Sequence, residues 1–201
     1  MIGVLVSGTG SNLQALLDAG LPVVAVASNR AGVQALERAS HLPSAAFELG
    51  AYGSRAERDE AMADWLEAQG VELVVCAGYM QLLSPAFLAR FPKVVNVHPS
   101  LLPKFPGAQA IEQALEAGVA ETGVTVHYVD EGVDTGPVIL QRALALPDAG
   151  EPEWVREQLR PLEHELLVHA VRLFAQGALK RDPANPRRVL IDLPAGSANG
   201  G

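Results

Sequence analysis

The chain has 201 residues, 49% of them hydrophobic and 19% charged, with a formal net charge of -8. Those figures argue against a disordered chain and against a non-specific nucleic-acid binder, which needs clustered Lys and Arg. A small anionic ligand stays open, because one helix N-terminus holds a phosphate without a basic surface. The lone Cys76 sits in an apolar run, so no internal disulfide forms; it reads as a buried thiol, in keeping with the cytoplasm.

The opening MIGVLVSGTG has no positive flank and is broken by glycine, so it reads as a strand and not as a signal peptide. No apolar run approaches membrane-spanning length. In chain order, strand 2–6 precedes a glycine-rich turn and helix 12–19; strand 23–27 precedes helix 33–40; a short strand over 44–47 precedes the amphipathic helix 55–69. Apolar strands over 73–77 and 94–97 follow, then helix 108–117. Strands 122–129 and 137–143 are separated only by the loop 130–136, so they pair antiparallel. A long helix over 153–174 closes the pattern. The expected fold is α/β: a mostly parallel twisted sheet with helices on both faces, Rossmann-like in its N-terminal half, with antiparallel strands added near the C-terminal end. Residues 1–193 form one domain; the tail 194–201, poor in apolar residues, is expected to be disordered.

Three segments could carry chemistry. Ser7-Gly8-Thr9-Gly10-Ser11-Asn12 follows the first strand and opens a helix, where free N–H groups face an anion. Leu13 stands where the dinucleotide fingerprint needs a third glycine, and no Gly-Lys-Ser/Thr follows, so a single phosphate is the better guest. A bare helix cap accounts for the same residues without any ligand. In Asn96-Val97-His98-Pro99-Ser100-Leu101-Leu102-Pro103, strand alternation puts Asn96 and His98 on one side, where amide and imidazole can converge on a developing oxyanion. The loop Asp130-Glu131-Gly132-Val133-Asp134-Thr135-Gly136-Pro137 is either a solvated turn or the source of a carboxylate that holds His98 and favours its charged form. The histidines and the single cysteine form no metal set, and no serine sits in a nucleophile elbow. His164 and Glu165, on the last helix, have solvation or packing as their default.

Together SGTGSNLQAL, CAGYMQLLSPAFL, NVHPSLLPKFPG, GVTVHYVDEGVDTGPVILQ and PLEHELLVHAV resemble, in order, the phosphoribosylglycinamide formyltransferase family, from the N-terminus to about Lys180. HPSLLP with the D-x-G-P loop is common to the folate-dependent formyl-group enzymes; the glycine-serine-asparagine loop and the compact length point to the purine-pathway member. A methionyl-tRNA formyltransferase carries a further C-terminal domain, and a formyltetrahydrofolate hydrolase an N-terminal regulatory one. A relative with the same trio and another acceptor is the alternative.

The resemblance implies transfer of a formyl group from 10-formyltetrahydrofolate, as co-substrate and without a metal, to the amino group of glycinamide ribonucleotide. It implies Asn96, His98 and Asp134 as the catalytic trio. The ribonucleotide side takes Gly10, Ser11, Asn12 and Leu13 for the phosphate, and Arg160, Pro161, Leu162 and Glu163 for the remainder. The folate side takes Arg55, Met80, Gln81, Leu82 and Leu83, together with Asn96 and Asp130, Glu131, Gly132, Val133 and Asp134. Asn96 and protonated His98 stabilise the oxyanion, and Asp134 supports the imidazole and, through water, moves the proton from the amine to the departing folate nitrogen. Gln81 and Gln109 stand where the enterobacterial pattern has a frequent Arg and a frequent His. The expected partners are these two small molecules, not nucleic acid or a membrane, and the expected state is a monomer or a homodimer.

Overall fold

A computed structural model describes residues 1–147, 150–185 and 187–192. The expected tail 194–201 lies outside the described residues. The elements run β1 Ile2–Val6, α1 Ser11–Asp18, β2 Val23–Ser28, α2 Gln34–Arg38, β3 Ser44–Ala46, a single 3-10 turn Leu49–Ala51, α3 Arg55–Ala68, β4 Leu73–Cys76, α4 Pro85–Arg90 and β5 Val94–His98. They continue with α5 Ala110–Glu116, β6 Glu121–Tyr128, β7 Val138–Ala145, α6 Pro152–Ala175, β8 Leu179–Arg181 and β9 Val189–Ile191.

The main sheet has the order β3-β2-β1-β4-β5-β6-β7. Strands β1 to β5 are parallel; β6 runs antiparallel to β5, and β7 antiparallel to β6. The connections account for most of this: helices separate the first five strands and only a loop separates β6 from β7, while β6 runs antiparallel to β5 although α5 lies between them. β1 reads IGVLV and is buried throughout, because both faces of the sheet are covered. Its alternation divides the core. Val4 and Val6 pack with Leu13 and Leu16 of α1 and Leu159, Leu166 and Leu167 of α6. Leu5 faces the other way, towards Met62, Ala63 and Leu66 of α3 and Phe87 of α4.

Helix ends follow local chemistry. Ser54 caps α3 by accepting from the Glu57 amide at 3.1 Å, while Glu57 reaches back to the Gly53 amide at 3.0 Å. Three elements escape the sequence pattern. α4 has only six residues, although Ser84 caps it and Pro85 occupies its first turn. β8 and β9 have three residues each and form a separate ribbon. The expected helix 33–40 shrinks to Gln34–Arg38, and 108–117 to Ala110–Glu116. No described helix is long and apolar enough to cross a membrane.

The order of strands changes direction between β1 and β4, so a crevice opens beyond their carboxyl ends. The Ser7 hydroxyl bridges that crevice: it donates to Asn29 Oδ1 at 2.6 Å and accepts from the Met80 amide at 2.8 Å. The turn after β1 and the segment after β4 are thereby tied together.

Candidate active site

The turn after β1 is shaped by a glycine. Gly10 has φ 77, and a Cβ there would lie 2.7 Å from that of Ala35, so α2 can approach only glycine. α2 braces the turn from outside: Ala35 N–H donates to Gly8 O at 3.1 Å and Arg38 Nε to Thr9 O at 2.7 Å. The first α1 amide to bond along the helix is that of Gln14, to Gly10 O. Ser11, Asn12 and Leu13 therefore present amides without helical partners, at the positive end of the helix. Leu13 can contribute only its amide, since its side chain is fully buried in the core. Asn12 is buried; its Nδ2 donates to Glu163 Oε2 at 3.1 Å, and its Oδ1 has no partner. Burial raises the Glu163 carboxyl pKa, against the Asn12 hydrogen bond and the Arg160 charge. Glu163 thus meets the turn, while Arg160 and Pro161 are exposed on α6 and Leu162 packs against the core.

The second corner is formed by β5 and the loop between β6 and β7. Asn96 and His98 share a side of β5, as alternation requires. Register sets His127 of β6 opposite Asn96 and Thr125 opposite His98. Asp134, at φ 52, turns its carboxylate back onto this patch. Its Oδ2 lies 3.3 Å from His98 Nδ1 and accepts from the Gly107 amide at 2.8 Å. Its Oδ1 lies 3.5 Å from His127 Nε2 and 3.4 Å from Asn96 Nδ2. Burial alone would raise the Asp134 pKa, but the His127 and Gly107 hydrogen bonds and the His98 charge outweigh it and hold it at about 2.

The imidazole of His98 is 6% exposed, and both its nitrogens face acceptors: Nδ1 the Asp134 carboxylate, and Nε2 the Phe105 carbonyl at 2.9 Å. Only a doubly protonated ring satisfies both. Burial nevertheless lowers its pKa below 6.5, and Phe105 and Asp134 offset that only in part. Asp134 favours the charged ring, as expected, while loss of water around the ring works in the opposite direction. Phe105, like Asp134, has positive φ, at 53. Two non-glycine residues in the left-handed region beside one histidine mark a strained site.

His127 is the residue that sequence reasoning missed. It is fully buried, its Nδ1 faces Tyr128 O at 2.8 Å, and its Nε2 lies 3.2 Å from Asn96 Nδ2. Nε2 thus lies between the Asn96 amide and the Asp134 carboxylate and ties β6 to both. A histidine inside the apolar strand VTVHYV was the available signal. Further support comes from Thr125, whose hydroxyl donates to Ser100 O at 2.7 Å and accepts from the Leu102 amide at 3.2 Å, while Gln141 holds both Leu102 O and Thr125. The prolyl loop that follows His98 is therefore pinned.

A cleft of ≈ 400 Å³ opens beside the trio, a volume typical of small-molecule sites. Its walls are Gly78 to Leu83, Asn96 to Pro99, Gly107, Ala108 and Val129 to Asp134. Met80, Leu82 and Val133 leave 65%, 50% and 47% of their surface exposed at its mouth, which is apolar. Met80, Gln81, Leu82, Leu83 and Glu131, Gly132 and Val133 are thus brought to one cleft with the trio. Asp130 lines it too, but its carboxylate shapes the loop by accepting from the Gly132 amide and the Thr135 hydroxyl. Arg55 does not line it and stands exposed at the first turn of α3; Gln109, also exposed, directly precedes α5 without a side-chain hydrogen bond to cap it. A more open hollow of ≈ 460 Å³ between α1 and α6 holds none of the trio. Among the described residues no three His, Cys, Asp or Glu side chains are grouped to hold a metal ion.

The family model described as formyl transferase matches residues 1–171. Phosphoribosylglycinamide formyltransferase of Haemophilus influenzae is 38% identical over 188 residues, 89% of either chain. The trifunctional purine biosynthetic protein adenosine-3 of Drosophila pseudoobscura pseudoobscura is 44% identical over 191 residues; the match takes in 90% of this chain but 14% of that much longer protein. Among solved structures, glycinamide ribonucleotide transformylase 1 from Symbiobacterium toebii superposes with a TM-score of 0.91 at 44% identity, covering 95% of this chain and 93% of that one.

Proposed function

We propose that this chain, which belongs to the formyl transferase family, transfers a formyl group from 10-formyltetrahydrofolate to the amino group of glycinamide ribonucleotide, a step of purine biosynthesis. The observation that carries the reading is the Asp134 carboxylate, held against His98, Asn96 and His127 at the wall of a cleft with an apolar mouth. A tetrahedral oxyanion needs aimed donors, and amine-to-nitrogen transfer needs a group that takes and returns one proton.

The division of labour follows from the two corners. The amides of Ser11, Asn12 and Leu13 take the phosphate, with Gly10 setting the turn and Glu163 near the glycinamide part. The cleft takes the folate, its pterin between the Met80–Leu83 wall and the loop ending at Asp134. The amine attacks the formyl carbon. Asn96 Nδ2 holds the oxyanion, giving up its 3.4 Å contact to Asp134, the longer of its two bonds. As the amine loses a proton, His98 gains the charge that both its neighbours favour, and Asp134 steadies it. The C–N bond to folate then breaks and the proton passes to that nitrogen. Each step is assigned to a side chain or a substrate atom, so the scheme uses no metal. Residues 1–193 act as one domain, in the cytoplasm, as a monomer or a homodimer.

The deciding experiment is a formyl-transfer assay with purified protein, glycinamide ribonucleotide and 10-formyltetrahydrofolate. Formylated ribonucleotide formed in proportion to folate consumed is the expected result. Folate consumed with formate released and no formylated product would overturn it in favour of hydrolysis.

A further inference from the structure

Outside the trio, the most unexpected side chains are Arg58 and Asp59 on α3. Both are fully buried, on a face whose other residues are Met62, Ala63 and Leu66. Arg58 Nη2 lies 2.6 Å from Asp59 Oδ1, and Nε donates to the same oxygen at 2.9 Å. Consecutive helical residues do not ordinarily face each other, so both side chains have turned to one point. That point is the Gly78–Ser84 segment, the wall of the cleft. Asp59 Oδ2 accepts from the Ser84 amide at 2.6 Å, and Arg58 Nη1 reaches Gln81 Oε1 at 3.4 Å. The same segment buries Tyr79, whose hydroxyl has no hydrogen-bond partner.

Stability alone does not account for the pair. A buried ion pair commonly contributes no more than well-packed apolar residues of the same volume. Tyr79 and Leu83 already anchor the segment in the core. What apolar anchors cannot do is fix the height of a backbone amide, and a lone carboxylate that did so would need its charge balanced.

We propose that the Arg58–Asp59 pair is a positioning device for the folate cleft: Asp59 sets the end of the wall through the Ser84 amide, and Arg58 sets its middle through Gln81. Neither residue touches the ligand. The proposal rests on the reading of this cleft as the folate site. It places the main effect on folate binding, since the pair bonds to the wall at Gln81 and Ser84, and the wall's link to the turn after β1, Met80 N–H to Ser7 Oγ, lies ahead of both positions.

The test is kinetic and calorimetric. The double variant Arg58→Met/Asp59→Asn is neutral, nearly isosteric, and keeps an acceptor for Ser84. It should raise the folate KM about tenfold, with kcat within about threefold and the ribonucleotide KM within about twofold of the unaltered protein. Arg58→Lys keeps the charge but loses the fork that reaches Gln81; it should raise the folate KM about threefold, and it decides the matter if the double variant does not fold. A lower Tm with unchanged folate KM in the folded variants would overturn the positioning role. Calorimetry with unreactive tetrahydrofolate separates the two levels. If the unaltered protein binds none, the folate reading falls and the positioning role with it. If it binds and the variants bind equally well, only the positioning role falls.

Discussion

The turn after β1 and the corner after β5 leave the same edge of the sheet and are built in opposite ways. Around Gly10 to Leu13 the donors are amides left open, and the supports, Ala35 and Arg38, come from outside. Around Asn96, His98, His127 and Asp134 the functional groups hold one another, and almost nothing is left open. On the proposed reading the turn is an anion site, which has only to wait with donors fixed, so backbone suffices. A site that moves a proton needs groups whose protonation states depend on each other, so it uses side chains coupled through one carboxylate. The contrast sets expectations for substitution: changes in the corner should fall on turnover, and changes in the turn on substrate binding.

The largest effect belongs to His98→Ala. Turnover should fall by about 10² to 10³ with both KM values nearly unchanged, as when a group that takes and returns a proton is removed. Steady-state rates in both substrates check this, and turnover like that of the unaltered protein would break the division between corner and turn.

Asp134→Asn comes next, with a loss of about 10- to 100-fold, the range of a hydrogen bond to a charged group. Removing the carboxylate removes the charge that favours imidazolium, so the His98 pKa, already lowered by burial, should fall further. NMR of the ring as pH is lowered reads this directly, and an unchanged pKa would assign Asp134 a direct proton-carrying role instead. The same substitution reports on stability. Asp134 has a folded pKa of about 2 against an ordinary 3.8. It therefore contributes stability above 3.8 that is lost as pH falls through 2, and the variant should show a flatter acid limb in thermal unfolding.

A smaller and differently placed effect is expected for Asn12→Ala. The ribonucleotide KM should rise about tenfold while the folate KM stays put, the cost of roughly one hydrogen-bonded contact. Equal rises in both would erase the distinction between the two corners. The half-buried Glu163 would also lose the donor that lowers its pKa, so that pKa should move up.

Smallest is Arg38→Ala, which removes an outer brace. It should raise the ribonucleotide KM about threefold and cost about 1 kcal/mol of stability, since two surface hydrogen bonds are lost, to Thr9 O and Gln14 Oε1. Denaturant unfolding beside kinetics tests it; an effect as large as that of Asn12→Ala would mean that the turn is not preformed.

Legibility in the sequence follows the same contrast. β1, β2, β4 and β5 are apolar runs between turns, and a strand buried on both faces leaves that trace. The turn at Gly10 is equally plain, because a left-handed residue pressed against α2 has to be glycine. Asn96 and His98 follow from alternation along a single strand. His127 does not, because its role comes from the register of β6 against β5, and register is a relation between two segments. Phe105 and Asp134 carry positive φ without being glycine, so nothing local announces their turns. Arg58 and Asp59 read as ordinary charges on an amphipathic helix; only the packing of the Gly78–Ser84 segment over them shows that they are inside. α4 was hidden by its length, although Ser84-Pro85 spells a helix start.

One proton decides whether the network around His98 is complete. Either neutral form of His98 turns a lone pair towards Asp134 or towards Phe105, and acidification would fill that gap, closing the network from the Phe105 carbonyl through the ring to the carboxylate. The attacking amine, however, must arrive unprotonated, and a ring that already holds the proton has no room for the one the reaction releases. On the proposed scheme order and activity therefore pull in opposite directions along the pH axis: the doubly protonated ring is the better bonded, while the ring that takes a proton from the amine has one of its two contacts open.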